Sequence, residues 1–180
     1  MVKTLETERL ILRAFSKKDA DALYNYAKNP NVGPHAGWKP HANAKESKRI
    51  IAGIFLSSQA WAIIDKETET LIGSIGLEPD KRRPGIKSKE LGYSLSEECW
   101  GKGLMTEAAK RVIQYGFEQM DLEIIAICTG PTNERSTRVI EKCGFKYEGT
   151  ERYCYLIYDG SIRSSKCYSL LRSEWEEQQN

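Results

Sequence analysis

No apolar run in the 180 residues approaches the roughly 20 that a bilayer-spanning helix needs, so a membrane anchor is not expected. The opening stretch to Ala14 is broken by Lys3, Glu6, Glu8, Arg9 and Arg13, which argues against a secretory leader. Charge of one sign is missing too: the net charge is +2, which gives no ground for a nucleic-acid partner or an acidic membrane. Five cysteines (Cys99, Cys128, Cys143, Cys154, Cys167) are odd in number and form no C-x-x-C pair, so reduced thiols in a cytoplasm are expected. Histidine is scarce. His35 and His41 share one loop without a cysteine or carboxylate cluster, so no metal site is expected. There is no internal repeat, low-complexity tract or linker, and a chain of 180 residues reads as one domain, residues 1–180, with core enough to need no staples.

Against that background, residues 91–106 stand out. Leu91, Tyr93 and Leu95 alternate with Gly92, Ser94 and Ser96, the period-two pattern of a strand. Gly101 and Gly103 then flank Lys102. Beyond them Leu104, Met105, Ala108, Ala109, Val112, Ile113 and Gly116 recur at three- and four-residue spacing, which predicts a helix with one apolar face. A strand that enters a helix through Gly-x-Gly leaves unpaired N–H groups and a partial positive charge at the helix start, which together make an anion site. The element is neither a nucleoside triphosphate loop, since G-x-x-x-x-G-K-S/T is absent, nor G-x-G-x-x-G, since Thr106 stands where the third glycine belongs. Taken alone it reads equally well as an ordinary strand-to-helix turn.

The rest of the chain alternates strands and helices. A strand is expected over residues 8–15. A helix follows, opened by a Ser16/Asp19 capping box, striped with Ala20, Leu23, Tyr24 and Ala27, and ended at Asn29-Pro30. Residues 31–41 read as a loop. A second helix opens at Asn43/Glu46 with Ile50, Ile51, Ile54 and Phe55 as its inner face. Strands over 61–64 and 71–77 form a hairpin, and 78–90 reads as a loop carrying Lys81, Arg82, Arg83, Lys87 and Lys89, either solvated or a docking patch. Residues 123–128 predict a strand buried on both faces, parallel to the strand before the glycine turn. A helix over 133–143, stopped by Gly144, and strands over 145–158 and 163–171 around Asp159-Gly160 complete the chain. The expected fold is α/β (α+β): a mixed, mostly antiparallel sheet with a central parallel strand pair and helices on both faces.

Two segments carry a resemblance. WGKGLMTEA at 100–108 and NERSTRVIEKCGF at 133–145 together resemble the acetyl-CoA-binding core of the GCN5-related N-acetyltransferase (GNAT) superfamily, and more narrowly its RimJ/RimL-like branch, which acetylates ribosomal-protein N-termini. The opening ETERLILRAF, the Trp38-Lys39-Pro40 step, GYSL and the closing YSLLRSEW match as well, so the resemblance runs from about Glu6 to Trp175. It implies the GNAT fold and acetyl-CoA as co-substrate, with no metal. Pyrophosphate contacts would fall on the backbone of Gly101, Lys102, Gly103, Leu104, Met105 and Thr106, and a pantetheine contact on Leu95. Where the family motif often has Gln or Arg three residues before the first glycine, this chain has Glu98, so only the backbone cradle is carried over. Many relatives place a Tyr seven residues after the motif Asn; here that position is Ile140, which excludes a tyrosine donor from that site. Ser136 is then the expected hydrogen-bond donor to the leaving thiolate and Asn133 an orienting co-substrate contact, although Asn and Ser also favour helix starts for their own sake.

The acceptor is an amine that must lose a proton. An α-amine with a pKa of ~7.7–8.0 needs little help, whereas Lys at ~10.4 would cost roughly 4–5 kcal/mol at pH 7. A weak base or a water relay then suffices, and Glu90 is the candidate, with an exposed strand-entry glutamate as the plainer reading. Trp38 is expected either to line the acceptor groove or to pack beneath its loop. The preferred acceptor is a protein N-terminal α-amine of the ribosomal-protein type. The alternatives are a small amine (polyamine, aminoglycoside or amino acid) and a non-catalytic acetyl-CoA-binding module. A monomer and a homodimer are equally compatible with the sequence.

Overall fold

The computed structural model describes residues 2–179; Met1, at the head of the stretch read for a leader, and Asn180 lie outside the described residues. Two strands, β1 (Leu5–Glu6) and β2 (Leu10–Ala14), are joined by a turn in which the Leu10 amide donates to Thr7 Oγ1 at 3.0 Å. The Ser16/Asp19 capping box forms as expected, but around a 3-10 turn, Lys17–Asp19, from which α1 (Ala20–Ala27) continues. The buried face of α1 is Ala20, Leu23, Tyr26 and Ala27. Tyr24, expected in that stripe, is instead half-exposed beneath Lys28, and Tyr26 points to the sheet, where its hydroxyl meets Ser94 Oγ at 3.3 Å.

The 31–41 segment is not all loop. One helical turn, α2 (Gly33–Ala36), closes at Gly37, whose φ of +88° a side chain would strain. Asn43 caps α3 (Ala44–Ile50), accepting from the Glu46 amide at 3.0 Å. The helix then widens to a π turn over Ile51–Phe55, marked by the Leu56 amide donating to the Ile51 carbonyl. This corrects the expected inner face, because the wider turn rotates later side chains off the α-helical stripe. Ile51 is fully buried, whereas Ile54 is 54% exposed.

Strands β3 (Ala60–Asp65), β4 (Leu71–Pro79) and β5 (Ser88–Leu95) form an antiparallel meander. The predicted 78–90 loop is shorter than expected, because Glu78 pairs with Glu90 and Pro79 with Lys89 across β4 and β5. After β5 come α4 (Leu104–Gln119), β6 (Ile124–Thr129), α5 (Glu134–Lys142), β7 (Lys146–Leu156), β8 (Ile162–Leu171) and α6 (Arg172–Glu177), the last not anticipated. All strands form one sheet in the order β1-β2-β3-β4-β5-β6-β8-β7, antiparallel except for β5–β6. The basic loop between β4 and β5 is largely tied down: Arg83 pairs with Asp80 and with Glu148 on β7, and Lys87 with Asp121.

Alternation along β3 sends its side chains to opposite faces. Trp61 and Ile63 join the Ala108, Val112, Ile113 and Phe117 face of α4, while Ala62 and Ile64 pack with Leu23, Ala27 and Ile51. Helices therefore cover both faces, and each large buried side chain contributes roughly 1.5–3 kcal/mol. Among the described residues no helix is long and apolar enough to cross a membrane.

Candidate active site

The site begins where the parallel pair comes apart. Register contacts join Ser88, Lys89 and Glu90 of β5 to Ile124, Ile125 and Ala126 of β6, and end there. Beyond that point β6 stays with β8, while Leu91–Leu95 keeps only β4 as its partner. One edge of β5 is thus free of a ladder partner, the arrangement that accepts an extended amide-bearing chain as if it were another strand. A cleft of about 650 Å³ opens along this edge. Leu95 lines it, with its carbonyl already accepting from Trp100 Nε1 at 2.9 Å.

At one end the cleft meets the glycine turn. Gly101 and Gly103 have φ of +75° and +77°, and a Cβ at Gly101 would meet nothing within 4 Å. Gly103 caps α4 in the left-handed conformation with no side-chain cap, so the amides of Leu104, Met105 and Thr106 are left for an outside acceptor. Lys102 is exposed beside them. The turn is pinned from behind. Arg9 donates to the Lys102 carbonyl at 3.0 Å and to Glu107 Oε2 at 2.7 Å, so the strand-to-helix path is held before any ligand arrives. Burial pushes the Glu107 carboxyl up, but hydrogen bonds from Thr7 and Arg9 outweigh it and hold the group below its ordinary value. An open, uncapped helix start with room for a phosphate fits the pyrophosphate of acetyl-CoA.

Across the gap, α5 brings the second motif alongside. Asn133 is the helix cap, its Oδ1 accepting from the Ser136 amide at 3.2 Å, and it presents Ser136 one turn into the helix. Ser136 Oγ lies 3.0 Å from the hydroxyl of Tyr93 on β5, and both line the cleft. Tyr93 was read from the sequence only as a strand residue. Burial pushes its phenol above the ordinary range against the pull of the Ser136 bond, so it stays protonated and able to donate. Arg135, also unforeseen, stacks over the Trp100 ring at 4.2 Å and places a cation at this end.

The other end of the cleft is made of side chains. Glu90 is half-buried on its wall, 3.7 Å from Arg82 Nη2, within ion-pair but beyond hydrogen-bond distance. Burial pushes its carboxyl up, against Arg82. Trp38 lines the cleft, and its ring packs on Gly33, where a Cβ would come within 2.6 Å. The two histidines are apart in role. His41 is buried with Nδ1 2.8 Å from Ser47 Oγ, and burial lowers its pKa, while His35 is exposed and offers its carbonyl to Arg163. Beneath the cleft Tyr26, Ser94 and Ser74 form a chain of hydroxyls, with Ser74 3.0 Å from Ser94. The cleft therefore brings together Glu90, Leu95, Asn133, Ser136 and Trp38, with the glycine turn adjoining it at Trp100.

Comparison with known proteins agrees with this geometry. Residues 9–146 match the family model of the acetyltransferase (GNAT) domain. The chain is 32% identical over 179 residues to the uncharacterized N-acetyltransferase p20 of Bacillus licheniformis, covering 97% of this chain and 99% of that one. It is 27% identical over 183 residues to the [Ribosomal protein uS5]-alanine N-acetyltransferase of Escherichia coli (strain K12), covering 95% and 92%. An acetyltransferase of the GNAT family from Bacillus anthracis shares the fold with a TM-score of 0.84 at 24% identity, over 95% of this chain and 99% of that one. The free strand edge, the uncapped glycine turn and these matches converge: the chain belongs to the GNAT family of acetyltransferases, enzymes that use acetyl-CoA as co-substrate.

Proposed function

We propose that this chain, as one N-acetyltransferase domain, acetylates the N-terminal α-amine of a protein, a ribosomal protein being the type its relatives indicate. The observation that carries the reading is the coincidence, in one cleft, of the free β5 edge, the Tyr93-supported Ser136 hydroxyl and the half-buried Glu90. The co-substrate supplies an acetyl thioester, whose carbonyl carbon takes the amine nitrogen while the C–S bond breaks. The amides of Leu104, Met105 and Thr106 and the glycine turn hold its pyrophosphate, and the Leu91–Leu95 edge orients its amide arm. Asn133 contributes by fixing the first turn of α5. Ser136 Oγ donates to the departing sulfur, held in place by the Tyr93 hydroxyl, which lies 3.0 Å from it and also reaches the Ser136 carbonyl at 3.3 Å. Glu90, directly or through water, takes the proton of the ammonium, which an α-amine near its own pKa gives up at little cost.

The charge of the cleft favours a peptide over a polyamine. Glu46, Glu78 and Glu90 on its walls are matched by Lys39, Arg135 and Arg163, and Glu90 is already beside Arg82, so a polycation meets no net negative surface. Trp38 would lie against the first residues of the acceptor. Five free cysteines fit a reducing cytoplasm.

The test is mass spectrometry of acetyl gain on N-terminal peptides, lysine peptides with blocked termini, polyamines and an aminoglycoside, with wild type and Ser136→Ala run in parallel. Acetylation of free peptide N-termini, reduced on the order of tenfold or more by the substitution, is expected. Acetylation confined to small amines would move the function to that class. If nothing is acetylated while acetyl-CoA still raises the melting temperature, the chain is a binding module for these acceptors.

A further inference from the structure

Three cations line the cleft, Lys39, Arg135 and Arg163, and Arg163 is the one held by both a hydrogen bond and an aromatic ring. Arg163 of β8 lines the acceptor end, and among the described residues no Asp or Glu lies within ion-pair distance of it. Its Nη1 donates to the His35 carbonyl at 3.1 Å, its guanidinium stacks on Tyr155 at 5.1 Å from the ring centroid, and its Nε is buried without a hydrogen-bond partner. The neighbourhood is shaped to hold this stack. A Cβ at Gly37 would come within 2.5 Å of the Tyr155 ring, and one at Gly130 within 3.4 Å of the Arg163 side chain.

A fixed guanidinium is an odd wall for a pocket that takes up amines, since it repels the ammonium form in which they arrive. Opposite charge lies elsewhere in the same cleft: Glu78 and Glu90 are register partners on β4 and β5, both lining it, and while Glu90 is beside Arg82, Glu78 is exposed with no ion-pair partner among the described residues. The cleft as a whole is balanced in charge but carries both signs in different places, the Glu78 carboxylate on β4 and the Arg163 guanidinium on β8. Such a pocket complements a molecule that carries both charges.

We propose that Arg163 anchors a carboxylate borne by the acceptor, so that the preferred substrate is an amine with a carboxylate close by. Two sources share this chemistry: a peptide N-terminus with an acidic side chain in its second or third position, and the free carboxylate of a small amino acid. The proposal rests on the amine-acetylation reading above and narrows its substrate class. Arginine suits the task because its planar fork meets a carboxylate through two parallel hydrogen bonds.

The experiment compares matched acceptors in the full chain: an Ala-Glu N-terminal peptide against Ala-Gln, and free alanine against alaninamide, with kcat and KM measured for wild type, Arg163→Gln and Arg163→Lys. The quantity read is the ratio of kcat/KM between acid and amide, because a general loosening of the His35 segment lowers both members alike and leaves the ratio intact. In wild type the acid is expected to be favoured by roughly 10- to 100-fold in at least one pair, mostly through KM, and the pair that shows it identifies the source. Arg163→Gln should bring that ratio close to one and Arg163→Lys restore part of it. Equal use of acid and amide by wild type, or a preference that survives in Arg163→Gln, overturns the proposal while leaving amine acetylation standing. If no acceptor turns over, binding of the same compounds in the presence of CoA decides. Tighter binding of the acid, lost in Arg163→Gln, upholds the carboxylate anchor without the acetyl-transfer reading, and no difference overturns it.

Discussion

The two ends of one cleft are built from different material. At the end proposed for the co-substrate the groups on offer are backbone: a Gly-x-Gly turn and the uncapped start of α4, whose inner face is buried to within 5% from Leu104 to Phe117 and whose entry is clamped by Arg9. At the end proposed for the acceptor they are side chains on the 31–41 segment and the β7–β8 hairpin, where Tyr153 and Leu156 are 77% and 72% exposed. The co-substrate is the same in every turnover and is suited by amides that substitution does not remove. The acceptor differs among relatives and is suited by replaceable side chains carried on a rigid sheet.

The contrast is broken most severely in the core behind the co-substrate end. Phe117 is fully buried and packs against Trp175 at 5.3 Å between ring centroids. Phe117→Ala is expected to cost about 3–5 kcal/mol in urea unfolding, and Leu156→Ala on the hairpin less than about 0.5 kcal/mol. A smaller effect, confined to one substrate, should follow Gly103→Val. The side chain would have to adopt a φ of +77° and would stand over the free amides of α4, so the KM for acetyl-CoA should rise about tenfold while that of the acceptor stays unchanged.

At the acceptor end, acidity is the sharper probe. In the proposed role of base Glu90 must be ionised, and burial raises its pKa above the ordinary value of 4.5. Activity should therefore fall as the pH drops through that raised value, and the acidic limb of the kcat/KM profile should lie above the normal glutamate range. Glu90→Gln should erase the limb and lower the rate about tenfold at neutral pH. The smallest change expected is from Tyr93→Phe, which removes only the hydroxyl 3.0 Å from Ser136. A fall in kcat of roughly 2- to 10-fold with both KM values unchanged would mark it as a residue that positions Ser136.

The same division decides what could be read in advance. Gly101, Gly103 and the apolar stripe of α4 were legible because a left-handed turn and a buried helix face admit few residue types. The cap that Asn133 makes to Ser136 was legible for a local reason, since the two lie three residues apart, whereas their part in the site was read from the motif they share with the family. Tyr93 was not, because its partner Ser136 is 43 positions away and meets it only after β5 and α5 are set side by side. Ile54 was misplaced by a π turn that shifts the helical period without any distinctive residue. Arg82 and Arg83, dense basic charge in the sequence, turned out to be engaged internally with Asp80, Glu90 and Glu148.

By itself the sequence determined the order of the main strands and helices, short of β1, α2 and α6, together with the left-handed glycine turn and the family, because these rest on local periodicity, backbone freedom and motif spacing. Only the tertiary structure decided that β5 and β6 part after Glu90, that the Tyr93 hydroxyl meets Ser136, and that Arg163, Glu78 and Glu90 line one cleft. Those relations join residues far apart in the chain, and their energies exist only once the sheet has brought the side chains within hydrogen-bonding and Coulombic reach.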